Sequence, residues 1–146
     1  MTADAYLALG LTAIVVNLIA GVTGGVAWQT NRISIPFWYL LRFAQLVTLL
    51  FVLAEAWLYF AGNRADDGLH YLYAALPVVA SLLAEGMRGA SAGQELGETD
   101  FASLDENRQQ EVALAIVRRE TGVMAVACFV VAFLIWRAVE TTAGMF

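Results

Sequence analysis

Residues 76–93 read LPVVASLLAEGMRGASAG. The first nine suit a lipid environment, and then Glu85 and Arg88 follow three residues apart, one helical turn along the same face. If the apolar part crosses a bilayer, those two charges sit at its end and need partners from neighbouring segments. The rest of the chain supplies the neighbours. Apolar stretches occupy about residues 6–28, 36–61, 69–88 and 118–139. The first two meet the roughly 20-residue requirement for crossing a hydrocarbon core. The third and fourth reach it when their charged flanks are included.

Composition agrees. The chain has 146 residues, 60% hydrophobic and 14% charged, which is poor material for a water-facing surface. One domain is the default at this length. A formal charge of −5 argues against nucleic acid as a partner, since that needs a basic face. The single cysteine, Cys128, excludes an internal disulfide and a cysteine-based zinc cluster; inside an apolar run it reads as a small packing residue. Barrel strands would alternate polar and apolar residues, and these stretches do not. The expectation is an all-α, four-helix membrane bundle of up-and-down topology, one domain over 1–146, with the third and fourth helices extended beyond the bilayer on the cytoplasmic side.

Residues 31–34 and 62–68 are short polar links, the second rich in turn formers. The link 97–105 is longer, and Ser103 and Glu106 have capping-box spacing for a new helix. The first residues, MTADAY, carry Asp4 and no basic residue, unlike a signal peptide, so the first stretch is expected to stay as a span. Arg32, Arg88, Arg108, Arg118 and Arg119 fall on one side of the four spans and Arg64 and Arg137 on the other. That asymmetry predicts extracytoplasmic termini.

At about 100° per residue, His70, Ala74, Pro77, Ser81, Glu85 and Arg88 share one stripe of the third helix. The stripe should face protein, because an ionised group facing lipid at mid-span costs about 2.5–3.5 kcal/mol. Placing His70 level with Ala138 brings Arg88 level with Glu120 and Glu85 within a turn of Arg119. Arg42 of the second helix comes within reach of Glu85. The predicted cluster is Arg42, Glu85, Arg88, Arg118, Arg119 and Glu120, read first as a structural clamp and second as a site for an anionic group such as a lipid phosphate.

Asn17, Gln45, Glu55, His70 and Ser81 are the other polar groups inside the spans. Glu55 is too short to reach the interface. Its candidate partners are the Tyr73 carbonyl, freed by Pro77, or else Arg137 or His70. His70, the only histidine, cannot supply two axial haem ligands and reads as an interfacial residue near Tyr71 and Tyr73. Gly21 and Gly25, in line with Asn17, and Gly89 and Gly93 have the four-residue spacing of close helix packing. No P-loop, HExxH, GxSxG or CxxC motif is present, and no nucleophile has a base nearby. No metal or cofactor is expected. The functional expectation is a non-enzymatic membrane protein, working as a homo-oligomer or as an accessory subunit of a larger membrane complex. The alternative is a small transporter or channel for a polar or anionic solute, and a membrane enzyme acting on lipid comes third.

Overall fold

The computed structural model describes residues 1–97 and 101–142, so residues 98–100 of the predicted link lie outside the described residues. The described chain is all-helical: α1 (Ala3–Gln29), α2 (Ile35–Phe60), α3 (Leu69–Gly89), a short α4 (Ser91–Leu96), a 3-10 turn (Phe101–Ser103) and α5 (Glu106–Glu140). Four of the helices are long and apolar enough to cross a membrane. At about 1.5 Å per residue even α3 spans roughly 30 Å, the thickness of a hydrocarbon core.

Local chemistry sets the helix ends. The Thr2 hydroxyl accepts from the Ala5 amide at 3.3 Å, and the Ser34 hydroxyl from the Phe37 amide at 3.3 Å, with Pro36 in the first turn of α2. Helices α1 and α2 stop by the same device. Asn31 (φ 53°) and Gly62 (φ 91°) take left-handed backbone, which lets the next amide reach back five residues. Arg32 N–H thus donates to the Ala27 carbonyl at 3.0 Å, and Asn63 N–H to the Leu58 carbonyl at 3.1 Å. The start of α5 differs from the expected Ser103 cap. Ser103 ends the 3-10 turn, and the Asp105 carboxylate accepts from the Arg108 amide at 3.0 Å instead. An ionised carboxylate beside a helix N-terminus is the stronger acceptor. Residues 111–118 are helical, and α5 runs unbroken past its apolar portion.

The buried stripe of α1 is Tyr6, Gly10, Ala13, Asn17, Ala20, Gly24 and Ala27, alternating steps of four and three, with Gly21 buried beside it. On α2, Phe37, Leu41, Ala44, Thr48, Phe51, Glu55 and Leu58 repeat that spacing. A 3.5-residue period is the one that keeps a seam facing its neighbours in a left-handed bundle. Large apolar residues point the other way: Leu11, Val15, Ile19, Val22 and Val26 of α1 are all exposed. On α1 the inward residues are mostly small or polar and the outward ones large and apolar, the reverse of a soluble bundle. The core divides into one cluster around Tyr6, Phe51, Val131 and Ile135 and another around Phe37, Leu41, Met124 and Cys128.

Three glycines permit the closest approaches. A Cβ on Gly10 would meet Val139 at 2.6 Å, one on Gly24 the Phe37 ring at 2.5 Å, and one on Gly122 the Trp28 indole at 2.9 Å. Of the four glycines expected in packing, only Gly21 lies against a neighbour, the Phe129 ring. Gly25, Gly89 and Gly93 face open space in the bundle. The four-residue spacing misplaces Gly25, because the seam takes a step of three from Asn17 to Ala20 before the step of four to Gly24.

Candidate functional site

Four helices meet at Glu55. Tyr6 of α1 donates its hydroxyl to Glu55 Oε1, and His70 Nε2 of α3 lies 3.0 Å from Glu55 Oε2. The other ring nitrogen, Nδ1, lies 3.0 Å from the Ala138 carbonyl and 3.2 Å from the Thr141 hydroxyl, at the end of α5. His70 is fully buried and Glu55 is 5% exposed. A carbonyl can only accept, so Nδ1 carries a proton. The contact between Nε2 and Oε2 then holds one proton, on either partner, and the pair is neutral as a whole in both arrangements. Neutrality is what permits burial without a further counter-ion.

Of the three partners expected for Glu55, the structure gives it His70, with Tyr6 in addition, and neither the Tyr73 carbonyl nor Arg137. Arg137 instead pairs with Glu140, one turn away, and sits over the Tyr73 ring at 5.5 Å. His70, the second residue of α3, is turned into the interior of the bundle, with Tyr71 T-shaped against its ring at 5.3 Å between centroids. The reason is the Gly68–Leu69 entry of α3, where the Asp67 side chain and carbonyl accept the Leu69 and His70 amides and turn the imidazole inward. Tyr6 and Thr141 are partners that the sequence reading does not name. Tyr6 begins the 3.5-residue stripe of α1, a signal legible in the sequence; Thr141 lies past the expected end of the fourth span, where no such signal exists.

Midway along the bundle, Asn17 Nδ2 donates to the Ala13 carbonyl and to Thr48 Oγ1, both at 2.9 Å. Between this pair and Glu55 stands Phe51, wholly buried against Tyr6 at 5.6 Å between rings. Ser81 satisfies itself on the Pro77 carbonyl at 2.8 Å.

At the other end Glu85 gathers α2 and α3. Its Oε1 takes Arg42 Nη1 at 2.6 Å and Gln45 Nε2 at 2.8 Å, and its Oε2 takes Arg88 Nε at 2.7 Å. Gln45 also accepts from Arg42 at 2.7 Å. Arg88 reaches Glu120 of α5 at 3.8 Å and lies over the Trp38 ring at 5.9 Å. Two arginines thus face two glutamates, and the group balances its own charge. Arg119 is not in it: it turns away to Glu95 at 3.3 Å. Arg118 is not in it either, and sits instead across a pocket from Arg32. Equal level brings Arg88 to Glu120, but Arg118 and Arg119 leave α5 about 100° apart, and level alone does not give that direction.

Among the described residues no buried side-chain nitrogen or oxygen lacks a partner. Comparison with known protein families, with curated proteins and with solved structures found no match.

Proposed function

We propose that this chain is one non-enzymatic, four-span, up-and-down membrane domain, acting as a homo-oligomer or as an accessory subunit of a larger membrane complex. The observation that carries this reading is the internal use of polarity. Each buried polar side chain of the described spans finds its partner within the same bundle, while large apolar residues cover the outward faces. The contacts support the topology, since they run in reverse order along each pair. Tyr6 meets Glu55 and Asn17 meets Thr48; Gln45 meets Glu85 and Glu55 meets His70; His70 meets Ala138 and Arg88 meets Glu120. Glycines left open by the bundle (Gly25, Gly89 and Gly93) offer flat faces on which a neighbouring helix can approach closely. The transporter reading needs a polar path, and Phe51 stands in its way.

Native mass spectrometry of gently solubilised protein tests the assembly: a dimer, or a constant set of copurifying membrane subunits, is the expected result. A lone monomer across mild detergents would overturn it. Orientation has its own test. With Arg32, Arg88, Arg108, Arg118 and Arg119 at the cytoplasmic end, alkaline phosphatase fused after Phe146 should be active in a bacterial host. An inactive phosphatase with an active cytoplasmic reporter at that point would reverse the orientation.

A further inference from the structure

Arg32 and Arg118 are the arginines to consider. Both line a pocket of about 280 Å³ where the α1–α2 link meets α5, together with Trp28, Asn31 and Thr121, and no carboxylate lines it. Among the described residues neither arginine makes an ion pair or a side-chain hydrogen bond. Arg42, Arg88, Arg108, Arg119 and Arg137 all have acidic partners. Arg32 is also held in place by its backbone, through the bond from its amide to the Ala27 carbonyl that follows left-handed Asn31.

The pocket adjoins an apolar groove. The Trp28 indole rests on Gly122 and lines both the pocket and a groove of about 460 Å³ between α3 and α5. Ala80, Ala84, Gly122 and Val126 are among its walls, small enough to leave a channel along the bundle surface. Its one charged wall residue, Arg119, is already paired with Glu95. Two unneutralised guanidinium groups therefore sit next to a tryptophan, at the end of an apolar channel, at the level where the first two spans are linked.

We propose that Arg32 and Arg118 take the phosphate of an anionic phospholipid, with one acyl chain lying in the α3–α5 groove beside Trp28. Guanidinium groups bind phosphate oxygens through paired N–H donors, and the indole suits the boundary between headgroup and chain. A zwitterionic lipid brings its own cation to that phosphate and leaves both positive charges unbalanced, whereas phosphatidylglycerol, with one net negative charge, offsets one of them. The site is distinct from the Arg42–Glu85–Arg88–Glu120 group, which has no surplus charge to offer. The proposal rests on the membrane reading and is independent of the assembly reading.

The test is a titration of the detergent-solubilised protein with short-chain phosphatidylglycerol and with phosphatidylcholine, counting adducts by native mass spectrometry. Phosphatidylglycerol should bind at least about tenfold more tightly. The preference should fall about fivefold for each of Arg32→Gln and Arg118→Gln and vanish in the double variant. Arg64→Gln, at the opposite end of the bundle and stacked on Tyr59, should leave it unchanged. Equal binding of the two lipids by the unaltered protein would overturn the proposal without recourse to any variant. So would a double variant that keeps the preference. Displacement of phosphatidylglycerol by equimolar inorganic phosphate would make this a site for a free anion, and would also overturn it. A protein that leaves solution for vesicles of neither composition would sink the membrane reading instead.

Discussion

Glu55→Ala should lower stability by about 3–5 kcal/mol, whereas Glu55→Gln should cost less than about 1 kcal/mol. The alanine leaves His70 Nε2 and the Tyr6 hydroxyl without their acceptor or donor, in a place where His70 is fully buried. It also uncouples four helices at once, because the carboxylate is the group on which α1, α2 and α3 converge and His70 carries the connection on to α5. Glutamine keeps both bonds. Its carbonyl can accept from Tyr6 and its amide can donate to a neutral His70, whose Nδ1 proton stays on the Ala138 carbonyl. The substitution removes the shared proton and preserves the geometry. Unfolding followed by titration from a mild into a denaturing detergent would measure both variants. If glutamine proves as damaging as alanine, the pair is held by charge and the hydrogen-bond account fails.

The same two variants separate the functional readings. In a structural junction, Glu55→Gln should retain whatever assembly the unaltered protein shows, since nothing that positions the helices has changed. A proton-handling role would need the carboxyl itself. A variant that folds and assembles normally but no longer supports its complex would therefore move the site from structure to chemistry.

How far the sequence discloses this arrangement depends on which physical signal is asked. Four helices long and apolar enough to cross a bilayer follow from length and apolarity alone, and α1, α2 and α3 begin and end within a few residues of where those signals place them. Depth is also legible: from one assumed level, His70 with Ala138, the arithmetic of 1.5 Å per residue brings Arg88 beside Glu120, and the distances are 3.0 Å and 3.8 Å. Azimuth is not. Arg118 and Arg119 have nearly the same depth and leave the helix in different directions, so one meets Glu95 and the other shares a pocket with Arg32. Partners on the first helix are hidden for another reason. Tyr6 and Asn17 sit on a stripe whose other members are glycine and alanine, so an ordinary search for an apolar face passes over it. On α1 the buried face is the one with less apolar bulk, and reading that helix in the inverted sense, at a period of 3.5, sets Tyr6 on the seam that faces Glu55.

That inverted seam makes a sharp contrast between two adjacent residues. Gly24→Val should lower stability by about 3 kcal/mol, near the upper end for overpacking a core. A Cβ there lies 2.5, 2.8 and 2.9 Å from three carbons of the Phe37 ring, and Phe37 is wholly buried among Ala20, Leu41 and Met124, so the ring has no free direction in which to retreat. Gly25→Val meets nothing within 4 Å and should leave stability within about 0.5 kcal/mol. Its effect belongs to the next level of structure. If the face carrying Gly25 is where another helix docks, valine there should reduce the dimer or the recovered partner subunits while the bundle itself melts unchanged, because the added bulk separates two backbones that glycine lets approach. Melts in one fixed detergent, read beside native mass spectra of the same samples, give both quantities. A Gly25→Val protein that melts as low as Gly24→Val would return the seam to the four-residue spacing and undo the packing described here. One that keeps both its stability and its full assembly would clear this face of any part in docking, leaving Gly89 and Gly93 as the glycines to test.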